Sequence, residues 1–216
     1  MDFFDTEDQQ LETIKKWVIE NGRAVVLGLV IGIGCILSWN GWQNYKSTQA
    51  REASDLFQEL LKAVESANRD SLVKLGERIK TEYPDSPYAI YAGFFLAKQQ
   101  VENGNLEAAR KELEAVLAGT PEPSIKNIAR LRLLKILLAE GKAQEALELI
   151  NGLGVSGRGK FEAAYEELKG DAYVVLGKEP EARSAYKRAS ELGRTSRFLD
   201  LKMEDLPVPR APEPPR

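Results

Sequence analysis

The sequence predicts an all-α chain: a single N-terminal transmembrane helix followed by an α-solenoid of helix pairs. Three observations carry this expectation. Residues 24–42, AVVLGLVIGIGCILSWNGW, contain no charged side chain. Beyond them, apolar residues recur at helical i, i+3, i+4 spacing and nowhere alternate as in a half-buried strand. Lastly, one short pattern returns three times at near-constant spacing, as stacked helix pairs require.

The first 23 residues form their own element. Leu11, Ile14, Trp17 and Val18 share one helical face beside Glu12, Lys15 and Lys16. Such a helix suits the membrane surface; an N-terminal partner-binding helix is the competing reading. Asn21-Gly22 marks a break before the next element. The anchor follows over 24–42, close to the roughly 20 apolar residues needed to cross a bilayer core. Trp39 and Trp42 suit its far interface. A cleaved signal peptide fits poorly, because Ser38-Trp39-Asn40-Gly41-Trp42 lacks a small-x-small site. A lipoprotein signal at Cys35 lacks the apolar residue three before the Cys, and Ile36-Leu37 prolong the apolar run. Lys15, Lys16 and Arg23 outweigh Lys46 and Arg51, a small bias toward a cytoplasmic N-terminus. Gly28 and Gly32 form a GxxxG pair, a candidate helix-packing face, although glycine is also simply common in membrane helices.

The soluble part should be helical throughout. From Thr48 to Ala67, Ala53, Leu56, Phe57, Leu60, Leu61 and Val64 keep helical spacing. A second helix covers Asp70 to Tyr83 and stops at Pro84; Ser86-Pro87 then reads as an N-cap with Pro at the first helical position. The repeated pattern starts at Gly104, Gly141 and Gly177, at intervals of 37 and 36 residues. Each Gly is followed five residues later by Ala109, Ala146 or Ala182, and four after that by Leu113, Ile150 or Tyr186. The Gly suits a left-handed helix terminus; the Ala suits a close helix contact, with the large residue one turn on.

This pattern resembles tetratricopeptide repeats. The last copy matches through Gly170, Tyr173, Ala182, Tyr186 and Ala189, and the first through Leu96, Ala97, Ala109, Leu113 and Pro121. The middle copy has Leu134 where a small residue is expected. Residues 48–85 form a weaker pair. The resulting domains are a cytoplasmic amphipathic segment (1–23), the transmembrane helix (24–42), a tetratricopeptide-repeat-like domain (43–203) and a Pro-rich, disordered tail (204–216). Solenoids expose a concave face. In this register the first helices of the pairs give it Tyr91, Phe94 and Lys98, then Leu131 and Lys135, then Glu167 and Asp171, a candidate partner-binding groove; packing against the preceding repeat is the alternative for its aromatics.

Composition narrows the chemistry. The chain has 216 residues, no His, one Cys and a net charge of −3. Missing His removes the commonest general base and metal ligand, and the lone Cys35 can form no intramolecular disulfide or Cys-rich zinc site. No cofactor, metal or enzymatic activity is expected, and the charge is too balanced to predict nucleic acid. Gly154-Val-Ser-Gly-Arg-Gly159-Lys160 matches GxxxxGK, but Phe161 replaces the magnesium-binding Ser or Thr and a helix precedes it instead of a strand. It reads as a flexible loop between repeats. Arg183, Lys187, Arg188, Arg194 and Arg197 read as a solvated face balanced by Glu181 and Glu191, with anionic lipid or an acidic partner as the alternative.

Glu7-Asp-Gln-Gln-Leu-Glu-Thr-Ile-Lys-Lys-Trp17, then Asn21-Gly22-Arg23, the anchor and Trp39-x-x-Trp42 resemble the start of the YfgM family, ancillary subunits of the bacterial SecYEG translocon. The resemblance covers residues 7–203. It implies a single-pass inner-membrane protein with its N-terminus in the cytoplasm and its repeats in the periplasm. It also implies association with SecYEG and with PpiD, a membrane-anchored chaperone, and a role in passing exported polypeptides to periplasmic chaperones. A structural scaffold for another cell-envelope complex is the alternative function.

Overall fold

The computed structural model describes residues 4–207 and is helical nearly throughout, with no strand among them. The chain divides between Glu52 and Ala53 into two units. Helix α1 (Phe4–Glu65) begins in the first unit and ends in the second. Of the tail expected over 204–216, residues from 208 onward lie outside the described residues.

In the first unit α1 runs through Asn21-Gly22 without interruption, so the expected break is absent. One glycine costs a helix only about 1 kcal/mol relative to Ala, and the Asn21 amide donates back to the Trp17 carbonyl at 3.1 Å instead of competing for the chain. Nor is there a new start near Thr48. Part of α1 is long and apolar enough to cross a membrane: Val26–Glu65 contains a stretch of mean hydropathy 1.4, none of it buried. Trp39 and Trp42 pack edge to face at 5.6 Å, and Lys46 Nζ lies 4.1 Å from the Trp42 ring centre. A Cβ at Gly28 or Gly32 would meet nothing within 4 Å, leaving the GxxxG face open.

The second unit is a stack of antiparallel helix pairs. The end of α1 (residues 53–65) pairs with α2 (Arg69–Glu82), α3 (Pro87–Glu102) with α4 (Leu106–Gly119), and α5 (Pro123–Ala139) with α6 (Ala143–Gly152). After the short α7 (Gly154–Arg158), α8 (Glu162–Val175) pairs with α9 (Glu179–Glu191), and α10 (Arg197–Glu204) closes the end. Side-chain oxygens of Asn68, Ser86, Asn105 and Ser196 cap the starts of α2, α3, α4 and α10, satisfying amides that have no partner inside a helix.

The repeated glycines are helix stops. At Gly104, φ +77° lets its amide donate to Val101 O while the Asn105 amide donates to Gln100 O. Gly141 and Gly177, at φ +74° and +69°, make the same pair of bonds with their own helices. This is the Schellman closure. A fourth copy lies 37 residues before Gly104 at Ala67. Ala67 adopts φ +53°, its amide donates to Val64 O, and the Asn68 amide donates to Ala63 O. The weak first pair of the sequence is therefore a full repeat whose stop is made by an alanine.

Among the described residues, the three largest of five apolar clusters run along the stack. Leu56, Leu60, Ile79, Ala89 and Ala92 form the first. Leu113, Leu134, Leu137, Ile150 and Tyr165 dominate the central one. Ala182, Tyr186, Ala189, Leu199 and Leu206 form the last. Tyr165 is wholly buried, and its hydroxyl donates to Asn127 Oδ1 at 2.6 Å while the Asn127 amide donates to Pro123 O at 3.0 Å, as buried polar groups require. The small-residue positions permit close approach: a Cβ at Gly93 would sit 2.7 Å from Val116 Cγ2, and one at Gly170 would run into the Tyr186 ring.

Candidate partner-binding groove

Two adjoining hollows open along α3 and α5, the first helices of neighbouring pairs. The first, of about 450 Å³, is lined by Phe57, Tyr91, Phe94, Phe95, Lys98, Ile128 and Arg132. The second, of about 370 Å³, shares Phe94, Lys98 and Arg132 and continues along Val101, Leu106, Lys135 and Ile136. Helical spacing explains the line. Tyr91, Phe94, Lys98 and Val101 fall on one face of α3, and Ile128, Arg132, Lys135 and Ala139 on one face of α5.

Phe57 anchors the first hollow, with its ring 5.1 Å from Tyr88, 6.0 Å from Tyr91 and 6.2 Å from Phe95. Arg132 Cζ lies 4.6 Å over the Phe94 ring, a cation–π contact of about 0.5–2 kcal/mol. Burial pulls the Arg132 pKa down, yet a guanidinium stays cationic near neutral pH. Tyr91 is 43 % exposed, and Lys98 and Lys135 are exposed.

The structure thus brings Tyr91, Phe94, Lys98 and Lys135 into one groove. Leu131 packs instead against the central core. Glu167 and Asp171 lie on α8 and are engaged from the C-terminal end. Arg194 donates to Glu167, and Lys202 Nζ donates to Glu167 Oε1 at 2.9 Å and to Asp171 Oδ2 at 2.8 Å. Tyr186 Oη donates to Asp171 at 2.8 Å. Only 7 % of Glu167 is exposed. Burial opposes its ionisation, but the bonds from Lys202 and Arg194 prevail and hold its pKa below the usual carboxylate range. Burial, and then the bond to Asp171, push the Tyr186 hydroxyl far up, so it stays protonated.

Phe57, Phe95, Ile128 and Arg132 are groove residues that the sequence reading missed. The repeat interval could have found two of them: Phe57 lies 37 residues before Phe94, and Ile128 37 after Tyr91.

The GxxxxGK segment forms no phosphate cradle. Gly154–Arg158 is helical and Gly159–Phe161 is a 3-10 turn, which corrects the expected flexible loop. Arg158 fastens it, donating from Nη1 to Glu166 Oε1 at 3.1 Å and from Nη2 to Ile150 O at 2.9 Å. The late basic residues are drawn into the fold one at a time. Arg183 donates to Leu206 O, Arg188 pairs with Glu191 at 3.5 Å, and Arg194 bonds Glu167, while Lys187 and Arg197 stay exposed. Among the described residues no group of His, Cys, Asp and Glu is arranged to hold a metal ion.

The tetratricopeptide repeat-like domain model matches residues 15–208. The chain is similar to an ancillary SecYEG translocon subunit of Escherichia coli (strain K12), 28 % identical over 211 residues, 96 % of this chain and 100 % of that one. It is similar to proteins of the same description from Haemophilus influenzae, 25 % identical over 87 % of this chain and 90 % of that one, and from Neisseria gonorrhoeae, 25 % identical over 93 % and 97 %. Among solved structures it resembles one described as "Functional Characterization of Pseudomonas Aeruginosa pilF", with a TM-score of 0.59 and 16 % identity, covering 74 % of this chain and 69 % of that one. A likeness at that identity bears on the fold alone.

Proposed function

The chain belongs to the tetratricopeptide repeat-like domain family, and from that premise we propose that it is a non-catalytic, membrane-anchored adaptor of the SecYEG translocon. In this reading the apolar part of α1 is a single inner-membrane anchor. Its N-terminus faces the cytoplasm, on the side of Lys15, Lys16 and Arg23, and the helix pairs stand in the periplasm. The groove along α3 and α5 holds a partner, either a PpiD-like membrane-anchored chaperone or an exported polypeptide on its way to periplasmic chaperones.

The observation that carries the reading is the groove itself: a long apolar trough, with aromatic side chains and cations along it, in a chain whose relatives bear the translocon's name over nearly their whole length. A binding role needs such a surface and no reacting group.

Photo-crosslinkers at Tyr91, Phe94 and Ile128 in intact membranes test it. Translocon components, the membrane-anchored chaperone or exported chains should be captured there. The exposed Lys111 and Glu148, on the second helices α4 and α6, serve as controls. Capture from Lys111 and Glu148 alone would remove the groove from the account. Recovery of a different envelope complex without SecYEG would move the protein to the scaffold reading.

A further inference from the structure

We infer that the groove along α3 and α5 is built for an acidic amphipathic segment: one that seats large apolar side chains in the two hollows and turns its carboxylates toward Arg132, Lys135 and Lys98. The inference rests on the groove reading above and adds the chemistry of the occupant.

Charge is distributed unevenly about the trough. Neither hollow is lined by an Asp or a Glu, while both include Lys98 and Arg132, and the second adds Lys135. The chain as a whole is net negative, at −3, so a wholly cationic lining is a local departure. Among the described residues neither Arg132 nor Lys135 forms an ion pair, and Lys98 makes only a loose one with Glu102 at 3.7 Å. Elsewhere in the same unit some partly or fully buried cations are matched: Lys80 with Glu112 at 2.7 Å, Arg158 with Glu166, and Lys202 with Glu167 and Asp171. At Arg132 burial is the cause that lowers the pKa, with no carboxylate offsetting it. An apolar surface that gathers unmatched cations repels a basic ligand and repays an acidic one.

Length supports a helical occupant. From Tyr91 to Val101 the α3 face extends roughly 15 Å, about the rise of ten helical residues. Apolar residues at i, i+4 and i+7 would seat in the two hollows, with carboxylates beside them. The chain's own Pro-rich end carries Arg210 and Arg216 and only one Glu past residue 207, so its charge fits the groove poorly.

The test uses the full chain in detergent micelles with two labelled peptides of about 15 residues. Both carry Leu at i, i+3, i+4 and i+7. One flanks the leucines with Glu, the other with Lys. The Glu peptide should bind at least about tenfold more tightly than the Lys peptide. Charge reversal in Arg132→Glu/Lys135→Glu should invert that order, with helicity unchanged and the unfolding midpoint lowered only by the lost contact to Phe94. Lys98→Glu/Lys135→Glu, which keeps Arg132 over the Phe94 ring, gives the same readout should the first variant fail to fold. Equal binding of both peptides, abolished by Phe94→Ala, would leave the groove standing and overturn the acidic ligand. Binding indifferent to Phe94→Ala would overturn the groove as well. No binding of either peptide, or a dimer of the chain that dissociates on Phe94→Ala, would likewise overturn the inference.

Discussion

Replacing Ala67 by Gly should stabilise the helix-pair unit, while the mirror changes Gly104→Ala, Gly141→Ala and Gly177→Ala should each weaken it. All four positions close a helix with the same bonds at φ between +53° and +77°. An L-residue with a Cβ pays about 1–2 kcal/mol in this region. Glycine gives back about 0.4–1 kcal/mol through the greater freedom of its unfolded chain. The net gain for Ala67→Gly therefore lies within about 0–1.6 kcal/mol, centred on ~0.8 kcal/mol, and each reverse change should lose a similar amount. Sterics do not cloud the comparison, since a Cβ at Gly104, Gly141 or Gly177 would meet nothing within 4 Å. Urea unfolding of the full chain in detergent, followed by far-ultraviolet circular dichroism, measures all four. Tryptophan fluorescence would be a poor probe, because Trp17, Trp39 and Trp42 all precede the second unit. For a unit of this size the thermal midpoint should move by about 2–4 °C per kcal/mol, with the urea slope unchanged. An Ala67→Gly variant no more stable than the parent, beside three destabilised Gly→Ala variants, would refute the equivalence of the four stops.

Other consequences can be measured in the same way. Gly170→Ala forces a Cβ into the Tyr186 ring and should cost about 1–3 kcal/mol, more than the loss at Gly141. Tyr165→Phe removes the 2.6 Å bond to Asn127 and should cost about 1–3 kcal/mol, because the buried Asn127 Oδ1 is left without its donor; a double mutant with Asn127→Leu should cost less than the sum. The lowered pKa of Glu167 gives stability that is present above the unfolded carboxylate pKa and is lost as pH falls through the folded one. Glu167→Gln should flatten that acid limb of the stability profile, and an unchanged limb would show that the bonds to Lys202 and Arg194 do not support the charge.

Much of the stack was legible because each pair repeats one local solution: a Gly stop, a small contact residue and a large residue one turn on. Ser86, Asn21-Gly22 and residues 154–160 show where local reading succeeds and fails. Ser86 before Pro87 is a cap by chemistry alone. Asn21-Gly22 looks like a break, yet the cost of one glycine is small against continuous helix on both sides. Residues 154–160 look like a loop, because the partner that orders Arg158, Glu166, belongs to the next helix. The first repeat stayed faint because Ala67 stands where the others show Gly. In the groove, Phe94 and Lys98 were readable from α3 alone. The setting of Glu167 was not, because its partners Arg194 and Lys202 come 27 and 35 residues later, where no periodic signal points back to it.

That separation along the chain also sets an order in time. A ribosome delivers Glu167 before the cations that neutralise it, and at about 5–20 residues per second the 35 residues to Lys202 take roughly 2–7 s. Through that interval the last helix pair has carboxylates that cannot settle against Tyr186 without an unpaired charge. The trough of Phe57, Tyr91, Phe94, Ile128 and Arg132 draws only on residues already made. A nascent copy therefore carries every residue of its binding surface while its C-terminal end is still open, and the terminal seal waits for Arg194 and Lys202.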